Sequence, residues 1–201
     1  ERKLEAMTLA DDLTGLGNRR LLLRDYNDYV LPHIKEGNPA YLAMIDLDNF
    51  KEANDKYGHT FGDDVLINIG DIFKSFASND VRIYRVGGDE FAFLLTNMNI
   101  EDSQFLVTKL MNEFKETLKE VDIDNLHPIG ISTGLATFTQ FNGQEALTHS
   151  DMAMYESKSL GNYKLSIHLE GGGGLLWADY LMNYKWTSIL LEHFLLSLYL
   201  F

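Results

Sequence analysis

The chain has 201 residues and a formal net charge of -13, with 17 Lys and Arg against 30 Asp and Glu. This leaves room for one ordinary domain and a short appendage, and it argues against a nucleic-acid scaffold, which needs a surplus of cations. The absence of cysteine excludes disulfides and thiolate zinc sites, so the cytoplasm is the expected location. A small anion could still be held where placed cations, metal ions and backbone N–H groups offset the negative field.

Residues 1–10 carry Leu4 and Met7 on one side with charges opposite, and read as the end of a signalling helix arriving from upstream. The opening lacks both an initial Met and a basic-then-apolar leader, so we expect a fragment whose missing partner is a sensor or regulatory domain. The full-length protein could then be anchored in a membrane with this domain facing the cytoplasm. Residues 19–35 place Leu22, Leu23, Tyr26, Tyr29, Val30 and Ile34 at helical spacing, and Gly37 and Pro39 close the run. Residues 41–47 are short and apolar, as a central strand should be.

A second amphipathic helix is predicted over 61–77. Strands at 81–86 and 91–95 flank Gly87-Gly88-Asp89-Glu90 and form a hairpin. A helix at 101–121, a strand at 129–139, a helix at 144–159 and a strand at 163–169 complete a mixed α/β (α+β) pattern around one sheet. Four glycines at 171–174 put a linker at 170–174. Beyond it, 175–201 is an apolar tail of unknown origin. It reads as an added peptide, then as a native helical appendage; charged interruptions make a membrane anchor the last choice.

Asp46 and Asp48 stand two apart at a strand end, so their carboxylates share a side, and Asp89 and Glu90 lie at the hairpin tip. If the two strands are neighbours, three or four carboxylates converge. Such repulsion calls for hard divalent cations, magnesium or manganese in preference to zinc, and these pair naturally with phosphate. Taken alone, a Gly-Gly-Asp-Glu tetrad also suits a plain turn, and Asp48 a capped or solvated loop.

Asn49, Phe50 and Lys51 could offer N–H groups and an ammonium to a phosphate, or simply begin a helix. Asn54 and Asp63 could read the Watson-Crick edge of guanine, although each alone is an ordinary surface residue. His59 reads as a loop histidine and not as a base.

RVGGDEF at 85–91 carries the signature of the GGDEF domain family of diguanylate cyclases, which the chain resembles in four further blocks. These are DDLTGLGNRR at 11–20, IDLDNFKEAND at 45–55, YGHTFGDDVL at 57–66 and SDMAMYESK at 150–158, in family order. The resemblance covers about 8–168 and makes 11–169 the GGDEF domain.

The resemblance implies a mainly antiparallel five-stranded sheet surrounded by helices, like the palm of nucleotidyl cyclases and polymerases. It also implies condensation of two GTP into cyclic di-GMP and two pyrophosphates across a homodimer, with two Mg2+ (or Mn2+) per active site. Asp46, Asp89, Glu90 and the backbone oxygen of Leu47 would hold the metals, with Asp89 and Glu90 as the catalytic pair. GTP would be met by Asn49, Phe50, Lys51, Asn54, Asp63, Arg85, Gly88 and Lys158.

Two departures stand out. Asn162 replaces the arginine usual after Lys158-x-x-Gly161, which puts one phosphate contact in question. Ser78 and Val81 replace the RxxD of the inhibitory product site, so no such site is expected. Three rivals accompany this reading: a catalytically weak GGDEF domain that binds GTP or a protein, a cyclase of mixed guanine-adenine dinucleotides, and a dimerisation module with solvated acidic loops. An intact Gly-Gly-Asp-Glu tetrad and the acid at Asp63 weigh against the first two.

Overall fold

A computed structural model of the chain describes residues 9–121, 129–138, 150, 152–155, 157–159, 164–168 and 176–178. The expected N-terminal helix end, the 170–174 linker, Asn162, the first part of the helix at 144–159 and most of 175–201 lie outside the described residues.

The chain runs β1 (Gly17–Asn18), α1 (Arg19–Asp25), a π-helical turn (Tyr26–Val30), α2 (Leu31–Lys35) and β2 (Ala40–Asp48). It continues through α3 (Phe50–Tyr57), α4 (His59–Lys74), β3 (Val81–Arg85), β4 (Glu90–Thr96) and α5 (Ile100–Val121). The remaining strands are β5 (Gly130–Thr137), β6 (Lys164–His168) and β7 (Leu176–Ala178). Helical turns also occupy 152–155 and 157–159.

The helix expected over 19–35 forms along its whole length, with one π-helical turn inside it. Pro32 has no N–H to return to the preceding turn, and the π-helical turn just before it absorbs the mismatch. The predicted 61–77 helix starts two residues early, at His59, because Gly58 at φ 89° makes the corner between α3 and α4.

The sheet order is β1-β3-β4-β2-β5-β6-β7. All five expected strands form, but among the described residues the sheet has seven, because two short edge strands add to them. β1 adds two residues parallel to β3, and β7 adds three antiparallel to β6. Both are too short for a period-2 pattern to register in sequence. Pairing is otherwise antiparallel except between β5 and β6, so the mainly antiparallel architecture holds.

Alternation along β2 divides the core in two. Tyr41, Ala43, Ile45 and Leu47 join one cluster with residues of α4 and α5, centred on Phe73, whose ring meets Phe91 and Phe93 edge-on at 5.0 and 5.1 Å. Ala40, Leu42 and Met44 join the other, with Leu22, Val30, Ile34, Ala92, Leu94 and Met154. The sheet is therefore covered on both faces. By the same alternation Asp46 and Asp48 continue the second face, as Glu90 does ahead of Ala92 and Leu94.

Candidate active site at the ends of the central strands

The register fixes the meeting of the acidic groups. Asp46 lies directly opposite Glu90 across the β2–β4 ladder, and the Leu47 N–H donates to the Asp89 carbonyl at 3.2 Å. Glu90 is therefore the first residue of β4 and not a member of the tip, which comprises 86–89. The N–H of Val86 donates to the Glu90 carbonyl at 2.9 Å and closes the turn.

Asp46 is 7% exposed, and its carboxylate oxygen lies 2.6 Å from the Lys158 ammonium, brought in by the helical turn at 157–159. Burial pushes the Asp46 carboxyl above its ordinary range; Lys158 opposes that shift, and the charges of Asp89 and Glu90 add to it. Asp48 accepts a hydrogen bond from Ser132 Oγ at 2.8 Å, while its other carboxylate oxygen is buried without a partner. Burial raises this carboxyl too, with the neighbouring Asp46 charge adding to the effect.

The donor chemistry fits a hard divalent ion: carboxylates of one face, one of them with an orphaned buried oxygen, under mutual repulsion. Among the described residues, however, no three acidic or histidine side chains stand close enough together to hold one. Two side chains account for this. Lys158 already sits on Asp46, and the Glu90 carboxylate folds back over Gly87, where a β-carbon would collide with it.

The groups expected to meet GTP fall around this centre. Asn49 adopts a left-handed conformation at φ 61° where β2 turns into α3, and its side chain does not cap the helix. The amides at the start of α3, Phe50 and Lys51 among them, thus follow directly on the acidic strand end; Phe50 is buried and Lys51 exposed. Asn54 on α3 packs against Gly62 on α4, so closely that any β-carbon at Gly62 would overlap its amide. Its buried side-chain amide oxygen has no hydrogen-bond partner, and Asp63, next along α4, is exposed. His59 is the exposed first residue of α4, not a loop residue as expected.

Arg85 is engaged within the protein. Its guanidinium donates to the Gly88 carbonyl at 3.1 and 2.7 Å and to Asp11 at 3.0 Å. Burial tends to raise the Asp11 carboxyl, but hydrogen bonds from Thr14 and Arg85 outweigh it and hold Asp11 below its ordinary range. This clamp on the hairpin tip, and the Ser132 contact to Asp48, were absent from the sequence reading. The Asp11 block stands out as a motif in the sequence, but the spacing of 74 residues between Asp11 and Arg85 conceals the pair. Ser78 and Val81 form a turn in which the Ser78 N–H donates to the Val81 carbonyl at 3.0 Å.

Comparison with known proteins agrees with this geometry. The sequence profile described as "Diguanylate cyclase, GGDEF domain" matches residues 8–164. Diguanylate cyclase DgcS of Shewanella oneidensis is 31% identical over 170 residues, which cover 82% of this chain and 55% of that protein. Diguanylate cyclase DgcP of Escherichia coli is 32% identical over 157 residues, covering 77% of this chain and 46% of that one. The chain thus spans about half the length of these relatives.

Among solved structures, the coiled coil and GGDEF domain of DgcB from Caulobacter crescentus in complex with c-di-GMP superposes with a TM-score of 0.73. It is 23% identical, over 80% of this chain and 85% of that one, and supports the fold alone. Diguanylate cyclase SiaD from Pseudomonas aeruginosa, solved with its activator SiaC, gives a TM-score of 0.71 at 27% identity, over 80% and 62% of the two chains. No helix among the described residues is long and apolar enough to cross a membrane.

Proposed function

The chain belongs to the GGDEF domain family of diguanylate cyclases, and from that premise we propose that it condenses two GTP into cyclic di-GMP, releasing two pyrophosphates. The observation that supports this most directly is the pairing of Asp46 with Glu90, beside Asp89, at the mouth of the central strands. A like-charged carboxylate set at a strand end, with Asp46 buried and Asp89 and Glu90 partly exposed, has little structural value and suits cation-assisted phosphate chemistry.

Asp46, Asp89, Glu90 and the Leu47 carbonyl are the groups that would hold two magnesium or manganese ions. Such ions, when bound, lower the pKa of a ribose 3'-hydroxyl and stabilise the pyrophosphate leaving group. The protein's own groups do the rest. Lys158 and Lys51 supply positive charge for the triphosphate, and leaving Asp46 for a phosphate would free that carboxylate for a cation. The backbone N–H groups of Asn49 and Phe50 serve the phosphates, and the glycine at Gly88, around which no atom would meet a β-carbon, lets them approach.

Asn54 and Asp63 read the guanine edge; the Asn54 side-chain oxygen, buried against Gly62 without a hydrogen-bond partner, must turn out of that contact to accept from a guanine N–H. Arg85 acts through the tip it clamps. Each copy holds one GTP, so two copies must face each other for attack of one hydroxyl on the other's α-phosphate. Residues 11–169 form the catalytic unit in this proposal, acting in the cytoplasm under an upstream sensor attached through residues 1–10.

The test is incubation of the protein with GTP and magnesium, with products resolved by chromatography and mass, beside an Asp89→Ala/Glu90→Ala variant. Cyclic di-GMP from the unaltered protein, falling by at least about a hundredfold in the variant, is the expected result. GTP binding without product would reduce the domain to a nucleotide-binding module and sink the catalytic reading.

A further inference from the structure

On the far side of the hairpin from Asp46, the sheet ends in a second concavity. β3 lies between β4 and the edge strand β1, and α1 starts immediately after β1, so the beginning of α1 overhangs the Gly87-Gly88 tip. The hollow there has a volume of about 400 Å³ and is lined in part by Asp11, Arg19, Arg20, Arg85, Gly87 and Gly88. Three arginines face one acid, and Asp11 is already paired with Arg85. Arg19 and Arg20 are exposed and make no ion pair among the described residues. In a chain with 13 surplus negative charges, two unneutralised guanidinium groups in one concavity are a local reversal of sign.

We propose that this hollow is a second nucleotide site, taking a phosphate of a guanine nucleotide on Arg19 and Arg20. Guanidinium forks match phosphate oxygens, and they match the N7 and O6 edge of guanine in the same bidentate way. The hollow's volume accommodates about one nucleotide unit and exceeds what a lone phosphate needs. The space around Gly88 is open, so the ligand can reach the tip's backbone. Occupancy would bear on the clamp that Arg85 makes to the Gly88 carbonyl, and through it on Asp89 and Glu90. The identity of the nucleotide rests on the proposed function, whereas the existence of the site does not. GTP and cyclic di-GMP share the recognised chemistry, and the binding experiment separates them.

Calorimetric titration in EDTA would use the whole chain with GTP, cyclic di-GMP and pyrophosphate as separate probes. The same titrations would be run on Arg19→Ala/Arg20→Ala and on Asp46→Asn, with thermal melts of each ligand-free protein to confirm folding. We expect one guanine nucleotide to bind tighter than pyrophosphate. We also expect its affinity to fall about tenfold or more in the double variant and to persist in Asp46→Asn. Whichever nucleotide binds tighter names the natural occupant as substrate or product. An affinity unchanged in the folded double variant, or lost equally in Asp46→Asn, overturns the site, as does pyrophosphate binding as tightly as both nucleotides. Absence of turnover with retained arginine-dependent binding would sink the cyclase proposal and leave this site standing.

Discussion

Single side chains in this protein do two kinds of electrostatic work. Asp11 is held below its ordinary carboxylate range despite partial burial, because Thr14 and Arg85 donate to it. A carboxyl whose folded pKa is depressed contributes stability that is complete above its unfolded value. That contribution is lost as pH falls through the folded value. Asp11 therefore stabilises the fold above its ordinary value of 3.8 and ceases to do so in stronger acid. Melting temperatures measured from about pH 5 down to about pH 2 should fall more steeply for the unaltered protein than for Asp11→Asn. Parallel curves would mean that the Arg85 clamp carries no net stability, as exposed pairs often do not. Asp25 belongs to the other kind: it is 3% exposed, bonded to the Tyr84 hydroxyl at 2.7 Å and to Arg82 at 3.3 Å, and it ties α1 to β3.

At the scale of elements, β5 fits tightly against the backbone of the segment that carries Lys158. Gly134 lies on the second face of the sheet, where a β-carbon would run into the backbone at Ser150, Ala153 and Met154. Backbone cannot swing aside as a side-chain end can, so Gly134→Ala must lift the segment from the sheet, at a cost of roughly 2–3 kcal/mol. A melting temperature lower by about 5–10 °C is expected, together with weakened activity as Lys158 shifts away from Asp46. A variant that melts like the parent would show that the segment does not rest on Gly134.

Sequence was informative where apolar periodicity ran long: β2, β3, β4, α4 and α5 could be read from spacing, and the acidic strand ends followed. It was blind to features set by tertiary register. The opposition of Asp46 to Glu90, the seat of Lys158 on Asp46 and the reach of Arg85 across 74 residues to Asp11 depend on which strands are neighbours. The two edge strands and the π-helical turn were also hidden, the strands by their brevity and the turn because Pro32 reads equally as a break or a bend.

At the scale of the whole molecule, the proposed mechanism brings two copies together, and each copy carries a formal charge of -13. Two such bodies repel at distances where only solvent and ions intervene, and the repulsion is screened within about 10 Å at 0.1 M salt but within about 30 Å at 0.01 M. If catalysis occurs across a homodimer, the rate per chain must rise with protein concentration. The concentration of half-maximal rate must also fall as monovalent salt increases from about 0.01 to about 0.15 M. Pure screening of the proposed Lys51 and Lys158 contacts to GTP acts oppositely, since it would weaken substrate binding at every protein concentration. Saturating GTP removes that effect, so rates should be taken there, with the oligomeric state followed by light scattering in the same buffers. A rate per chain that is flat across the concentration range, with scattering reporting a monomer throughout, would refute the two-copy mechanism. A flat rate with scattering reporting a dimer even at low salt would instead show that an apolar or metal-bridged contact overcomes the charge.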